Sequence, residues 1–160
     1  MQQIDIAEAL SQSTLGAELT PDECTALAAV MDVEPVPAGE ILVHEGEERR
    51  TLFVLAGGRL NVCKEVNGQE ETVYQMRVGE CAGTRAFIDG SPRKADLCTG
   101  TDSVVLTLEP AAFEGLIETQ PRLVYKIMRA IFRITHSNLM RVNLESAELR
   151  NYMLKSGGRY

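Results

Sequence analysis

The chain has 160 residues, of which 44% are hydrophobic, and a formal net charge of −7 at pH 7. This length is enough for one hydrophobic core and too short for two full domains. The negative charge argues against a broad contact with nucleic acid or with an anionic membrane, because both need a basic face. The sequence has no apolar run of about 20 residues and no signal-like start. We therefore expect a cytoplasmic protein that does not contact a membrane.

Two short helices are predicted in the first 31 residues. The first is expected at 5–12. The second has a strong start signal, since Thr20 can cap the helix, Pro21 suits its first position, and Glu23 can reach back to the cap. We predict this second helix over 21–31.

From residue 33 to residue 108 the apolar residues recur with a period of about two, in short runs separated by turn residues. This pattern predicts a mostly β fold with flanking helices (α+β), built on an eight-stranded antiparallel jelly roll, or double-stranded β-helix. Asn67-Gly68 is predicted to form a type I′ hairpin turn. The predicted strands are 33–36, 41–44, 51–56, 59–66, 69–77, 81–82, 94–99 and 103–108.

Two prolines open the predicted C-terminal helices. Pro110 begins a helix to about residue 119, and Pro121 begins another that runs to residue 154. At 1.5 Å per residue the second helix is about 50 Å long, so it cannot pack wholly on a small roll. The chain therefore divides into a roll with its N-terminal helices at 1–120, the long helix at 121–155 and a tail at 156–160.

Apolar residues on the long helix follow the three-four rhythm of a coiled-coil seam. The residues in this rhythm are Ile127, Ile131, Ile134, Asn138 and Arg141. They predict a homodimer through residues 121–154, with Asn138 fixing the register. The alternative is that the isoleucines cover the roll of their own subunit.

The residues that could carry chemistry are few. The four cysteines, Cys24, Cys63, Cys81 and Cys98, are dispersed, so we expect buried thiols rather than a disulfide framework or a metal site. Two histidines cannot form a histidine metal centre, and no serine or cysteine has the context of an activated nucleophile. We predict that the protein is not an enzyme and holds no metal. The charged loop with Arg49 and Arg50 is expected to be solvated.

The segment G-E-C-A-G-T-R-A-F-I-D-G-S-P-R-K-A-D-L, residues 79–97, predicts an anion site. Gly83 allows the backbone to approach a ligand closely. The helical turn at 84–88 would present unpaired N–H groups, and Arg93 can direct two donors at a phosphate. We call residues 83–93 the cradle, and we expect a buried phosphodiester as its ligand.

Several motifs occur in the order of a known family. They are P-A-G-E-I-L (37–42), E-G-E (45–47), L-F-V-L-A-G-G-R-L (52–60), N-G-Q-E (67–70), the cradle and the long helix. Roughly residues 15–150 resemble the cyclic-nucleotide-binding domain of the catabolite activator protein and Crp/Fnr regulators. The resemblance implies a regulatory domain with cAMP or another cyclic nucleotide as effector. Such regulators usually continue into a helix-turn-helix, which is missing here, so we expect no DNA contact from this chain.

The sequence departs from the family pattern at one important position. The family has a glutamate after the cradle glycine, which holds the ribose 2′-hydroxyl, and this chain has Thr84. Threonine can form a single neutral hydrogen bond, so the affinity could fall by one or two decades. Where cGMP-selective relatives carry threonine after the arginine, this chain has Lys94. The resemblance therefore implies cAMP rather than cGMP.

The candidate ligand-binding residues are Gly83, Thr84, Arg85, Ala86, Arg93, Lys94, Thr135 and Asn138. The backbone of 83–86 and the side chain of Arg93 are expected at the phosphate, and Thr84 near the ribose. Arg85 either supplies a second positive charge or points outward. In the activator-like relatives the long helix closes over the base, which makes Thr135 and Asn138 the candidates there.

Two functions fit these observations. The first is a non-catalytic sensor that binds a cyclic nucleotide and signals to an unknown protein partner through its C-terminal helix. The second is a degenerate roll that no longer binds nucleotide and acts as a dimerisation or protein-docking module, since Thr84 replaces the ribose-binding glutamate. A sensor gains thermal stability from the nucleotide, whereas a docking module does not.

Overall fold

The structure is a computed structural model that describes residues 3–157, with side chains to residue 155. Its helices are α1 (Ile6–Ser11), α2 (Pro21–Ala28), α3 (Thr84–Asp89), α4 (Pro110–Glu114) and α5 (Pro121–Gly157). Its strands are β1 (Asp32–Val36), β2 (Ile41–Val43), β3 (Leu52–Gly57), β4 (Leu60–Val66), β5 (Gln69–Met76), β6 (Cys81–Ala82), β7 (Asp96–Cys98) and β8 (Ser103–Leu108). Within 3–157 no helix is both long enough and apolar enough to cross a membrane.

The eight strands form two four-stranded antiparallel sheets, which confirms the predicted jelly roll. The first sheet has the order β1-β8-β3-β6, and the second has the order β2-β7-β4-β5. Asn67 (φ 54°) and Gly68 (φ 80°) join β4 to β5, and two positive φ angles are the requirement of a type I′ turn. The predicted hairpin is therefore present.

Helix boundaries differ more from the prediction than strand boundaries do. The capping box at Thr20 and Glu23 is present, but α2 ends at Ala28, three residues before the predicted end. α4 ends at Glu114 instead of near residue 119, because the following residues form turns. α5 extends to Gly157, so the predicted tail at 156–160 begins inside the helix and its last three residues lie outside the described range.

Strand β3 is buried on both of its faces. Leu52 and Val54 belong to a core between the first sheet and the helices, whereas Phe53 and Leu55 belong to a second core between the two sheets. This double burial explains the continuous apolar run L-F-V-L, since a strand with one solvated face would alternate. The second core places the side chains of β3 directly behind the cradle.

The first half of α5 packs on its own roll, and this corrects the predicted dimer seam. Leu123, Ile127, Ala130 and Ile131 are at most 4% exposed and lie in the core under the first sheet. Ile127 and Ile131 therefore cannot form a seam with another subunit. Asn138, predicted at a buried register position, is exposed in the single chain.

The cysteines also differ from the prediction. Cys24 and Cys81 are free, but Cys63 on β4 and Cys98 on β7 form a disulfide. Sequence spacing could not show this, because the two cysteines are 35 positions apart and their strands become neighbours only in the folded roll. The carboxylate of Glu70 lies within 4.8 Å of both sulfurs. Cys63, Glu70 and Cys98 are thus the one cluster of three potential metal-ligating residues in the described part of the chain.

Candidate ligand-binding site

A cavity of about 250 Å³ lies between the second sheet, the cradle and α5. Strands β4, β5 and β7 provide an apolar wall with the side chains of Val62, Met76 and Leu97. The other lining residues are Tyr74, Glu80, Cys81, Ala82, Gly83, Thr84, Arg85, Ala86, Pro92, Arg93, Lys94, Ala95, Asn138 and Arg141. The structure thus brings together seven of the eight predicted site residues, and Thr135 is the exception.

Gly83 determines the shape of the cradle. It precedes α3 with a left-handed backbone (φ 87°), and a Cβ atom there would collide with the guanidinium of Arg93 and approach the carbonyl oxygen of Thr51. The first N–H groups of any helix lack partners inside the helix, and the first residues of α3, from Thr84 to Ala86, line the cavity. Glycine is required here both by the backbone and by the contact with Arg93.

Arg93 is a buried cation without a carboxylate partner. The residue is only 7% exposed, and its guanidinium forms no ion pair with any of the described residues. Its Nε donates to the carbonyl of Arg49 (2.9 Å), and its Nη2 donates to that of Thr51. The guanidinium also lies 5.3 Å from the ring centroid of Phe53. Burial, and next the charge of Arg49, lower the pKa of Arg93, and the charges of Glu47 and Glu109 oppose this in part.

This geometry changes the predicted role of Arg93 in one respect. The sequence predicted two donors directed at a phosphate, but Nε and Nη2 already bond to backbone carbonyls. Nη1 is the nitrogen that packs against Gly83 at the cavity. A ligand oxygen would therefore bind to a guanidinium that the protein has already oriented. Burying an unpaired positive charge costs free energy, which a bound anion would offset.

Two arginines of the loop predicted to be solvated remain in contact with solvent and also form contacts that support the cradle. Arg49 pairs with Glu34 (2.9 Å) and lies 5.0 Å from the ring centroid of Phe53. Arg50 donates to the carbonyls of Ala86, Phe87 and Ile88 at 3.3 to 3.4 Å. Arg50 thereby adds side-chain donors to the carbonyl groups at the C-terminal end of α3, where helices lack intrahelical donors, although that of Ala86 also accepts from the N–H of Gly90 (3.0 Å).

Thr84 connects the cradle to α5. It is 7% exposed, and its Oγ1 accepts a hydrogen bond from the Oγ1 of Thr135 at 2.9 Å. Thr135 therefore contacts a residue of the cavity, Thr84, but does not line the cavity itself. At the position of the family's glutamate, the cradle has a neutral hydroxyl that already bonds to the long helix.

The far end of the cavity contains polar residues that the sequence analysis missed. The hydroxyl of Tyr74 donates to both carboxylate oxygens of Glu80 (2.7 and 2.9 Å), and the guanidinium of Arg141 lies 3.9 Å from the Tyr74 ring centroid. Burial, and then the bond to Glu80, raise the pKa of Tyr74. The alternation along β5 was a usable signal, because Tyr74 and Met76 occupy successive positions on its cavity face.

Cys81 lines the same end of the cavity. Burial raises the pKa of its thiol to about 11, so it is a thiol and not a thiolate at neutral pH. The hydroxyl of Thr14 lies 3.5 Å from its sulfur. Cys81 therefore contributes shape and a neutral surface rather than a nucleophile.

The sequence model of a family described as "Cyclic nucleotide-binding domain" matches residues 33–120, which is more than half of the chain. The chain belongs to this family. Its matched region contains the whole roll and the cradle, and α5 follows directly. The domain is a regulatory fold of the kind predicted from the motif order.

Similar proteins include two kinase components. The chain is 30% identical over 111 residues to cGMP-dependent protein kinase egl-4 of Caenorhabditis briggsae, a match that covers 68% of this chain and 15% of the kinase. It is 26% identical over 108 residues to the cAMP-dependent protein kinase regulatory subunit of Hypocrea atroviridis, covering 68% of this chain and 22% of the subunit. The chain thus spans less than a quarter of either relative.

A solved structure supports the predicted resemblance to Crp/Fnr regulators. The Thermus thermophilus catabolite activator protein is similar with a TM-score of 0.70 and 22% identity, over 84% of this chain and 63% of that one. This domain therefore shares the fold of the matched part of that regulator. The residues that bind the ligand in this chain stay a prediction, to be tested by mutation.

Proposed function

We propose that this domain binds a cyclic nucleotide in the cavity and signals through α5. The observation that carries the proposal is the buried guanidinium of Arg93, which has no carboxylate partner among the described residues and faces a cavity. A phosphate bound between Nη1 of Arg93 and the backbone at Gly83 would provide the missing negative charge. The domain itself performs no catalysis.

The rest of the nucleotide follows from the position of the phosphate. The ribose lies near Thr84, and the base lies toward the apolar wall of Val62 and Leu97, within reach of Asn138. The residue after Arg93 is Lys94, whereas cGMP selectivity was expected to need a threonine at this position. This difference favours cAMP. The named relatives include both a cGMP-dependent and a cAMP-dependent kinase component, so the choice rests on Lys94.

The hydrogen bond between Thr135 and Thr84 supports α5 as the output element. Because Thr84 begins α3 at the cradle, a ligand that moves this residue also changes a contact of the long helix. A ligand can shift the equilibrium between two positions of α5 only by the difference between its binding free energies to the two states, typically about 1–3 kcal/mol.

We also propose that the domain forms a homodimer through an exposed part of α5. Along α5, residues outside the core form two series that each repeat every seven positions, and the second series is offset from the first by three residues. The apolar seam consists of Tyr125, Met128, Phe132, Leu139, Val142 and Leu149, and Thr135 and Ser146 are polar residues at two further positions of the same repeat. Phe132 is 73% exposed and Leu139 is 57% exposed in the single chain, and a heptad pattern of this length is typical of a coiled coil.

Calorimetric titration of cAMP and cGMP into the wild-type protein and Arg93→Ala tests the proposal. We expect cAMP to bind the wild-type protein, and we expect a loss of at least a hundredfold in the variant, because one charged contact contributes about 3 kcal/mol or more when buried. Arg77→Ala is the matched control, since Arg77 is exposed and lies outside the cavity.

The alternative function predicts a different result. If folded wild-type protein binds neither nucleotide, or if Arg93→Ala binds as tightly as the wild-type protein, the sensor assignment is wrong. The replacement of a carboxylate by Thr84, whose hydroxyl already bonds to Thr135, is the observation that favours a docking module. Such a module would remain dimeric without any nucleotide.

A further inference from the structure

The cavity concentrates positive charge in a protein that is otherwise acidic. Four of its lining residues are cationic, Arg85, Arg93, Lys94 and Arg141, and Glu80 is its one carboxylate. The whole chain has a net charge of −7. A cleft lined by one sign of charge focuses the field and selects ligands of the opposite sign.

None of these four cations forms an ion pair within the described part of the chain. Arg93 bonds to backbone carbonyls, and Arg141 lies over the ring of Tyr74. Arg85 and Lys94 are exposed at the rim. The carboxylate of Asp89, on the same helix as Arg85, bonds to Ser91 and forms no ion pair with Arg85, whose charge makes only a smaller contribution to lowering its pKa.

The single carboxylate of the cavity is also occupied. Both oxygens of Glu80 accept from the hydroxyl of Tyr74, and Glu80 pairs with none of the cations. At the cradle, Thr84 adds no negative charge, and its hydroxyl bonds to Thr135. One negative charge on a ligand would satisfy Arg93 and leave Arg85 and Lys94 without a partner.

We propose that the preferred ligand of this cavity is a nucleotide with at least two negative charges, because it carries a phosphomonoester or a second phosphate group. This inference rests on the proposed function, since it uses the same cradle and the same Arg93. One phosphate lies against Arg93 and Gly83, and the additional charge lies at the rim between Arg85 and Lys94. A carboxylate in place of Thr84 would repel that additional charge.

A series of adenine nucleotides that differ in charge tests the inference by calorimetry at low ionic strength. The probes are 3′,5′-cyclic AMP with one charge, 5′-AMP with about two, and adenosine 3′,5′-bisphosphate with about four. We expect the affinity to rise along the series, by about tenfold or more from the first probe to the last, with the steepest salt dependence for the bisphosphate.

A double variant assigns the effect to the rim. In Arg85→Gln/Lys94→Gln the preference for the bisphosphate over cyclic AMP should fall to about threefold or less. The matched control is Lys64→Gln/Arg77→Gln, which removes the same charge from exposed residues outside the cavity and should keep the tenfold preference. A preference that survives in the rim variant would overturn the assignment to Arg85 and Lys94.

The outcomes also separate this inference from the proposed function. If the wild-type protein binds cyclic AMP through Arg93 and binds the two more highly charged nucleotides equally or more weakly, the inference is wrong and the proposed function stands. If none of the three probes binds to the folded protein, both are wrong.

Discussion

Gly83 and Arg93 work as one unit, because the space that glycine leaves is filled by the guanidinium. The left-handed backbone of Gly83 and the collision that any Cβ would cause both exclude a side chain at this position. The same contact therefore determines both the position of the Arg93 charge and the backbone conformation before α3. A mutation at either residue disturbs the other.

Gly83→Ala should lower ligand affinity by at least tenfold, because the new Cβ displaces the Arg93 guanidinium. It should also destabilise the protein by about 1–2 kcal/mol through its positive φ. Gly39→Ala is the matched control, since Gly39 has a similar φ (85°) and open space around the Cβ position. Calorimetry and thermal unfolding measure the two effects. Equal affinities in both variants would contradict the contact.

Sequence analysis located the cradle residues and missed the opposite end of the cavity. Gly83 and Arg93 could be predicted because they lie ten residues apart, in one motif with its own local geometry. Tyr74, Glu80 and Arg141 come from β5, from the turn before β6 and from the second half of α5. The alternation along β5 could have indicated Tyr74, but only the tertiary structure brings it together with Glu80 and Arg141.

At the scale of elements, α2 is connected to α5 by an ion pair that uses its own helix cap. The carboxylate of Glu23 accepts from the backbone N–H of Thr20 (2.9 Å) and from Nζ of Lys126 (2.6 Å). The bond to Lys126, and then the bond to Thr20, lower the pKa of Glu23. The capping box thus helps to hold the long helix on the roll.

This pair should make stability depend on pH. The pKa of Glu23 is lower in the folded state than in the unfolded chain, so its contribution is present above the unfolded value of 4.5 and is lost as the pH falls through the folded value. Glu23→Gln should lower Tm by about 2–4 °C at pH 7, and the difference should shrink below about pH 4. Glu118→Gln, on an exposed residue, is the control; the same loss there would argue against the pair.

Elements with local start and stop signals could be predicted, and elements that depend on distant contacts could not. The cap at Thr20, the turn at Asn67-Gly68 and all eight strands follow from short patterns. Arg50 bonds to α3 from 36 to 38 residues away, and the Cys63–Cys98 disulfide joins strands separated by the hairpin and the cradle. These contacts exist only once the roll has closed.

At the scale of the whole molecule, α5 has two faces with different roles. The face with Leu123, Ile127 and Ile131 belongs to the core of its own subunit. The apolar seam lies outside that core and leaves large apolar side chains in solvent, which is unfavourable without a partner. The sequence showed that residues of α5 repeat at intervals of three and four. It did not show that the set with Ile127 and Ile131 faces the roll while the apolar seam faces outward.

Phe132→Asp/Leu139→Asp should convert the proposed dimer to a monomer, because a coiled coil does not tolerate buried charge at two seam positions one heptad apart. Light scattering after size-exclusion chromatography at micromolar concentration measures the mass. Leu144→Asp is the control, since Leu144 is 62% exposed but lies off the seam. A monomeric wild-type protein, or a double variant that remains dimeric, would disprove this interface.

The length of α5 turns a small change at the cradle into a large one elsewhere. Beyond Arg141 the helix continues for about 16 residues, or about 24 Å, and the side chains described there are exposed. From Thr135 to the end of α5 the helix is about 33 Å long, so a tilt of about 10° at the Thr84–Thr135 hydrogen bond would move its far end by about 6 Å, which is comparable to the pitch of one helical turn. A change too small to break one hydrogen bond at the cavity would thus be enough to change which surface the end of the helix presents to a partner.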